Sequence, residues 1–348
     1  MKKKKSAGKK IAWFALPLFL LIIVSVAALV YNKLFSPAFD IDDTVYIYVD
    51  EKKDYDELLL QLQTTAHIKD IKSFRLIASK ASYPQKMKTG RFAFSPRTTL
   101  KEAFSILSNG IQTPVKLTFN NIRLKDEFSK RIGEELMLDG DSLLSRLNDQ
   151  SFCQQYGFDT TTILCMFIPN TYEFYWNTNP DKFVQRMKTE YGRFWTEERK
   201  VKAASIPLSP IQVSVLASIV EEETAVRDEY ATVAGLYINR LKKGMLLQAD
   251  PTVKYAVGDF TLRRVLNVHL QTDSPYNTYL YSGLPPGPIR MPSIRGIDGV
   301  LQNQQHHYIY MCAKEDFSGR HNFATNLSEH NRNAERYRRA LNQNRIYR

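Results

Sequence analysis

The chain has 348 residues, of which 43% are hydrophobic and 12% aromatic, so it can bury sizeable cores and wholesale disorder is excluded. Its 48 Lys and Arg against 36 Asp and Glu give a net charge of +12, but six lysines stand within the first ten residues. The rest has a modest positive excess and no basic stripe interleaved with aromatics, which argues against nucleic acid as a partner. Three scattered cysteines and the lack of metal-ligand spacings predict neither a disulfide framework nor a metal site.

The first segment indicates a membrane anchor. Residues 11–32 carry no charge and follow a basic tail at 1–10, and a helix of this length, rising about 1.5 Å per residue, crosses a hydrocarbon core. A cleaved signal peptide would have a shorter apolar core and a small-residue exit, whereas this run ends in Val30, Tyr31 and Lys33. The lysines predict a cytoplasmic N-terminus. We therefore expect a single-pass protein of the inner (cytoplasmic) membrane, with a linker at 33–43 and its body on the periplasmic or extracytoplasmic side.

Residues 44–120 are predicted to form a small α+β unit. Strands are indicated at 45–49, 90–94 and 115–119 by β-branched and aromatic residues. A helix begins at the acidic run 54–57, and a second apolar-periodic segment follows at 71–78. Thr99 and Glu102 form a capping-box pattern that begins another helix, which Asn109 and Gly110 end.

Residues 121–348 are predicted to form a larger, mixed α+β domain, so the whole chain is of the α+β class. A helical stripe from Leu124 steps by four residues until Gly140 breaks it. We expect a strand-like stretch at 163–167 and 172–176, one long charged helix at 181–202, and irregular backbone at 274–292. A helix at 293–304, a strand pair within 307–323 and a helix at 326–342 complete the chain.

The segment 209–244 carries the candidate chemistry. Ser209 and Pro210 begin a helix whose buried stripe is followed, on another face, by the small residues Ser214, Ala217 and Ser218 and then Glu221. These small side chains would leave room for something bulky beside the carboxylate. The helix dipole and two acidic neighbours should raise the pKa of Glu221, as a general acid requires. The alternative is a solvated acidic helix end.

Polar loops follow that helix. Tyrosines and amides beside a carboxylate are typical of a sugar cleft, where rings stack and hydroxyls pair with amides. The alternative is packing made rigid by prolines. We predict that Asp250, Asn239 and Tyr276 line one cleft with Glu221. The wider set of predicted substrate-binding residues is Tyr172, Asn239, Gln248, Asp250, Thr252, Tyr276, Asn277 and Thr278.

Several ordered motifs resemble the MltG (YceG-like) family of endolytic murein transglycosylases. They are LASIVEEET at 216–224, NRL at 239–241, LQADPTV at 247–253, YNTY at 276–279, GLPPGPI at 283–289 and HNFATN at 321–326. The resemblance covers nearly the whole chain, with a LysM-like unit at 44–120 and a catalytic domain at 121–348, and it places the family's catalytic Glu on Glu221. The family usually shows Pro-Asp-Thr-Tyr after an acidic-Gly pair. Here Asn170 replaces that Asp, and Leu164 and Cys165 precede the motif, so a second carboxylate role at 170 is not expected.

The resemblance implies cleavage of the MurNAc–GlcNAc bond within nascent peptidoglycan strands, which leaves 1,6-anhydro-MurNAc ends and terminates strand elongation. Such a lyase needs no metal or organic cofactor. A single carboxyl is enough, because the C6 hydroxyl of the sugar is the nucleophile. Glycan strands, the membrane and peptidoglycan synthases are the implied partners. Two alternatives stay open: a muramidase that pairs Glu221 with Glu173 or Asp250, and a non-catalytic glycan-binding scaffold.

Overall fold

The computed structural model describes the backbone of residues 7–344 and the side chains of residues 17–344. The predicted basic tail 1–10 lies largely outside the described residues. The chain divides into two compact units, one of Met1–Val115 with Glu173–Thr178 and one of Lys116–Tyr172 with Asn179–Arg348. The predicted boundary at 120 therefore lies within five residues of the first division, but the segment 173–178 returns to the first unit.

The first helix, α1, spans Ala7–Phe35. Its part Pro17–Phe35 is long and apolar enough to cross a membrane, and its side chains over 17–33 are exposed. Pro17 lies within this helix. The helix predicted over 11–32 is thus confirmed as a helix. The predicted linker 33–43 is only partly a connector, because its first three residues still belong to α1 and Ala38 and Phe39 are buried in the core of the first unit.

In its described residues, the first unit has two strands and three α-helices besides α1. They are β1 (Val45–Val49), α2 (Tyr55–Thr64), α3 (Ile71–Lys80), β2 (Gly90–Phe94) and α4 (Leu100–Asn109). The strands β1 and β2 pair antiparallel, with Ile47 opposite Phe92, and both side chains are fully buried. The predicted capping box of Thr99 and Glu102 is confirmed, and Gly110 ends α4 with a φ of 70°.

The second unit is mostly helical. Strands β3 (Val115–Thr118) and β4 (Thr171–Phe174) lie where the chain passes between the units, and β5 (Tyr310–Ala313) pairs antiparallel with β6 (His321–Ala324). The helices are α5 (Lys125–Glu135), α6 (Gly140–Leu147), α7 (Gln150–Gln155), α8 (Pro180–Phe194), α9 (Glu197–Ser205), α10 (Pro210–Glu223), α11 (Tyr230–Lys242), α12 (Asp250–Val257), α13 (Ile294–Leu301) and α14 (Leu327–Gln343).

Three predicted elements of this unit were wrong. The stretch 163–167 is not a strand, because Ile163–Met166 form a buried 3₁₀ turn. The single helix predicted over 181–202 is two helices, since Thr196 adopts extended backbone and caps α9 by accepting a hydrogen bond from the Arg199 N–H. The polar loop expected around Asp250 is the first turn of α12, with Pro251 at its favoured early position.

Helix α10 is the central core helix of the second unit. The capping box of Ser209 and Gln212 begins it, and all residues from 213 to 220 are buried. Together, α9 and α10 also have the length and composition of a bent membrane span. The burial of residues 213–220 inside the protein is, however, that of a core helix. The small-residue face does not leave room for a ligand: Ser218 Oγ accepts a hydrogen bond of 3.1 Å from the N–H of Ile289. The GLPPGPI segment of the protein itself fills this space.

Candidate active site

Three consecutive carboxylates end α10 in three different environments. Glu221 accepts a hydrogen bond of 2.9 Å from the Ser293 N–H and another from the Ser293 hydroxyl. Ser293 is the N-cap of α13, so this carboxylate lies at the positive end of that helix. Its side chain is only 5% exposed, and Arg290 Nε lies 3.9 Å from it. Glu221 is therefore tied to the start of α13.

Glu222 belongs to an ion cluster. Its carboxylate accepts hydrogen bonds of 2.8 Å from Arg123 and 2.7 Å from Arg290. Arg290 also donates a hydrogen bond to the side-chain carbonyl of Asn121. These contacts join the segment at 121–123 to the end of α10 and to the chain just before α13. Glu222 thus holds three segments together.

Glu223 has the environment expected of a general acid. Burial raises the pKa of its carboxyl to about 7, and the negative charge of Asp250 acts in the same direction. The Tyr237 hydroxyl donates a hydrogen bond of 2.8 Å to Glu223, which together with the Arg240 cation partly opposes that rise. A carboxyl with this pKa is about half protonated at neutral pH, so it can both give and take a proton.

A polar cavity of about 260 Å³ surrounds Glu223. Helices α10, α11 and α12, the YNTY segment and the β5–β6 hairpin all contribute to its wall. The polar residues lining it are Glu223, Tyr237, Arg240, Gln248, Asp250, Tyr279 and His321. Tyr279 donates a hydrogen bond of 2.6 Å from its hydroxyl to Asp250. Four motifs that are distant in sequence therefore meet at one carboxyl.

Backbone strain occurs at this cavity. Gln248 has a φ of 49°, in the left-handed region that non-glycine residues rarely adopt. Its N–H donates to the carbonyl of Thr278 at 3.0 Å, which holds the strained residue in place. Strain of this kind is retained when the surrounding structure over-determines it, and it is common at functional sites.

The structure brings only two of the predicted substrate-binding residues to Glu223. Gln248 and Asp250 line its cavity, whereas Asn239 and Tyr172 are engaged within the protein. The amide of Asn239 donates to the backbone carbonyls of His306 and Tyr308, at 2.8 and 3.1 Å, and the Tyr172 hydroxyl donates to a carbonyl of its own segment at 2.6 Å.

The remaining predicted residues stabilise the loop that follows α12. Thr252 and Thr278 are buried and share a hydrogen bond of 2.8 Å. The Asn277 amide donates to two backbone carbonyls within 270–272, and the ring of Tyr276 packs on Tyr255 with centroids 4.6 Å apart. Among the described residues, the cavity beside Glu221 is lined by other side chains than Asp250, Asn239 and Tyr276, and the role of these three in substrate binding stays a prediction.

Several residues of the Glu223 cavity were not singled out from the sequence. Tyr237 and Arg240 lie five and two residues before the end of α11, and both are buried. Arg240 donates to the backbone carbonyls of Leu247 and Ile309, at 2.8 and 2.7 Å, and so fixes the cavity wall. Tyr279 and His321 belong to motifs that carried the family resemblance. That resemblance was the signal in the sequence from which these two residues could have been identified. Among the described residues, no cluster of three or more potential ligands is placed to hold a metal ion.

The comparisons with known proteins identify the family. The profile of the YceG-like family matches residues 47–336, so the chain belongs to that family and the prediction from its motifs is confirmed. It is 31% identical over 232 residues to an endolytic murein transglycosylase of Bacillus subtilis, covering 61% of this chain. It is 22% identical over 320 residues to one of Streptococcus pneumoniae, covering 83% of this chain.

The matches span 62% and 57% of those relatives' own lengths, so the chain corresponds to about three fifths of each. A crystal structure of a yceG-like protein from Listeria monocytogenes superposes with a TM-score of 0.53 at 23% identity. The superposition covers 84% of this chain and 99% of that one. This likeness concerns the fold.

Proposed function

We propose that the protein is an endolytic peptidoglycan lytic transglycosylase and that Glu223 is its catalytic acid and base. It would cleave the MurNAc–GlcNAc bond within nascent strands, leave 1,6-anhydro-MurNAc ends and so terminate elongation. The observation that carries this proposal is a carboxyl with a pKa near 7 in a polar cavity built from the family motifs. The names of the Bacillus and Streptococcus relatives support the substrate class.

The proposed reaction needs one carboxyl. Protonated Glu223 gives its proton to the oxygen that leaves C1 of the muramyl sugar, and the resulting carboxylate takes the proton of the C6 hydroxyl. The C6 oxygen then bonds to C1 as the glycosidic bond breaks, so the proton count balances and no water enters. An attacking group within the same sugar gains from proximity and replaces a second carboxylate.

We favour Glu223 over Glu221, the residue predicted from the sequence, because of what each carboxylate contacts. Glu221 is held by the backbone and hydroxyl of Ser293, whereas Glu223 faces Gln248, Asp250 and Tyr279. Burial also raises the pKa of Glu223 into the range in which a carboxylic acid can serve at neutral pH.

Glu223→Gln tests the proposal. Glutamine keeps the size of the side chain but cannot transfer the proton, so we expect 1,6-anhydro product to fall by about 10²–10⁴-fold. Purified full-length protein in detergent would be incubated with uncross-linked glycan strands, and the products analysed by mass spectrometry. Thermal melts of each variant would check folding.

Glu221→Gln and Glu222→Gln are the matched variants on the same helix end. Both should retain far more lyase activity than Glu223→Gln, because neither carboxylate lines the Glu223 cavity. If Glu221→Gln abolishes product while folded and Glu223→Gln retains it, the sequence-based assignment is the right one. If the wild type yields no cleaved strands at all, the scaffold alternative is favoured.

A two-carboxylate muramidase is a second candidate, because Asp250 lines the same cavity as Glu223. Such an enzyme would use Asp250 to activate water or to form a covalent intermediate. Its products carry reducing MurNAc ends, which are 18 mass units heavier than anhydro ends because a water is added. The same mass spectra therefore separate the two reactions.

We further propose that α1 anchors the protein in the cytoplasmic membrane and that the first unit is a LysM-like glycan-binding module. The order β1, α2, α3, β2 with an antiparallel strand pair supports the second part. Tyr48 is 38% exposed and its ring meets Trp176 of the same unit edge-on at 4.9 Å, a surface on which a sugar can stack. Peptidoglycan synthases stay predicted partners.

Tyr48→Ala is the test of glycan binding by this unit. We expect it to reduce co-sedimentation of the full-length protein with insoluble peptidoglycan, since a stacking ring is lost. Leu76→Ala, at an exposed apolar position of α3, is the control and should leave sedimentation unchanged. Equal sedimentation of the two variants would contradict the LysM-like role of Tyr48.

A further inference from the structure

A second cavity, of about 510 Å³, lies beside Glu221 and is not used by the proposed acid. Its volume is within the range of sites that bind small molecules. Three arginines line it, Arg227, Arg290 and Arg295, together with the single carboxylate of Glu221. Tyr230 and Asn121 add polar groups to the wall. The lining is therefore strongly cationic for its size.

Two of these cations are uncommitted. Arg290 is shared between Glu222 and Glu221, but neither Arg227 nor Arg295 donates a hydrogen bond or forms an ion pair with any residue in the described part of the chain. Burial and the charge of Glu221 raise the pKa of Tyr230, whereas both of these arginines lower it electrostatically, as does Arg290. Among the residues that the structure describes, two exposed guanidinium groups thus line a common cavity without an ion pair of their own, and Glu221 is the one carboxylate in its lining.

The acidic residues close to these arginines in sequence are engaged elsewhere. Asp228, next to Arg227, accepts a hydrogen bond of 2.7 Å from Arg320. Glu229 is buried and accepts from the ring and backbone N–H of His321 at 2.8 and 3.0 Å. Asp298, one turn beyond Arg295, is bound by Arg199 at 3.0 Å. Glu221 and Glu222 pair with Arg290, whereas these three acidic residues leave Arg227 and Arg295 unpaired.

Arg290 adds a buried donor. Its Nε has no hydrogen-bond partner among the described residues, and the side chain is only 13% exposed. A buried guanidinium N–H without a partner is costly, and an acceptor entering the cavity would satisfy it. This donor and the two free arginines point to the same kind of ligand, which is an oxyanion.

We propose that this cavity binds a carboxylate of the peptide stem carried by the muramyl sugar, and that the enzyme thereby prefers stem-bearing strands. The inference rests on the proposed function, because it assumes a peptidoglycan substrate. The sugars of an N-acetylated strand are uncharged, so the stem carboxylates supply its negative charge. Planar guanidinium groups bind carboxylates through paired, charge-assisted hydrogen bonds.

Binding is measured apart from cleavage, in full-length Glu223→Gln protein in detergent. The probes are a disaccharide–tetrapeptide, the same fragment with amidated carboxylates, the disaccharide without peptide and with its lactyl carboxylate amidated, and inorganic phosphate. We expect calorimetry to give the lowest Kd for the first probe. The double variant Arg227→Gln with Arg295→Gln should raise the Kd for this probe about tenfold or more, because two charge-assisted contacts are lost.

Arg338→Gln, at an exposed arginine of α14, is the control and should leave the Kd unchanged. Equal affinity for the free and amidated stems, or no effect of the double variant, would overturn the proposal. Phosphate binding that depends on the two arginines without stem binding would also overturn it in favour of a phosphate ligand. Strand cleavage by Glu223→Gln would instead refute the assignment of the acid and leave the binding result standing.

Discussion

Glu221 and Glu223 show how two identical side chains on one helix end acquire different chemistry. Residues two apart on an α-helix point about 200° from each other, so they face different surroundings. One meets the N–H and hydroxyl of Ser293, and the other meets Tyr237 and a polar cavity. The pKa of the second is raised by burial, which its own sequence neighbours do not reveal.

The neighbours of Glu223 should shift the pH profile in opposite directions. Tyr237 stabilises the charged form of Glu223 by hydrogen bonding, so Tyr237→Phe should raise its pKa and move the alkaline limb of kcat to higher pH. Asp250 destabilises that charged form, so Asp250→Asn should lower the pKa and move the limb to lower pH. The measurement is the rate of anhydro-product formation from pH 5 to 9.

The sign follows from the role of the acid. Glu223 must be protonated to act on the leaving oxygen, so the rate should fall as the pH rises through its pKa of about 7. Glu222→Gln, whose carboxylate is bound by two arginines away from this cavity, serves as the control with an unmoved limb. Shifts of both test variants in the same direction would contradict the assignment of this limb to Glu223.

At the scale of elements, the sequence was sufficient to predict helix ends that depend on interactions between residues close together in the chain. The capping box at Thr99, the start of α10 at Ser209 and the end of α4 at Gly110 were predictable, because cap residues satisfy backbone groups within one turn. The buried 3₁₀ turn at 163–166 was not, because a short apolar run has the same composition as a strand.

The candidate site was predictable only in part. The motif that contains Gln248 and Asp250 was identified from the sequence. The spacing of residues along α10, however, selected Glu221 as the catalytic carboxyl. That argument treated the small face of α10 as space for a ligand, whereas Ile289 from a distant segment occupies it. Which carboxyl faces a cavity depends on α11, α12 and the β5–β6 hairpin, and no pattern within α10 contains this information.

The GLPPGPI segment should tolerate little added volume. A Cβ at Gly287 would overlap the carbonyl of Thr161 and lie 2.9 Å from the Tyr276 hydroxyl, so Gly287→Ala should destabilise the protein by about 1–3 kcal/mol. Gly192→Ala is the matched control, because no atom lies within 4 Å of its Cβ and alanine favours the helix α8. Thermal unfolding of both variants tests this, and equal melting temperatures would refute the close packing.

At the scale of the whole chain, the two units carry different surfaces, which the proposed function assigns to one extended polymer. The first unit carries the exposed aromatic Tyr48, and the second holds the Glu223 cavity. In the proposed function a polymeric substrate favours such a division, since a binding module would raise the local concentration of strand at a catalytic unit. The apolar helix α1 precedes both units in sequence, so under the proposed anchoring both would have to lie on the side of the membrane where strands are made.

The proposed membrane topology rests on charge and length. Six lysines precede an uncharged span, and cytoplasmic retention of such charges would place residues beyond Phe35 outside the cytoplasm. A phosphatase that folds only in an oxidising compartment should therefore be active when fused after residue 348 and inactive when fused before residue 1. The intact N-terminus should be found in the membrane fraction by mass spectrometry. The opposite pattern of phosphatase activity would refute this orientation, and a mature chain beginning after residue 30 would show that the span is a cleaved signal instead of an anchor.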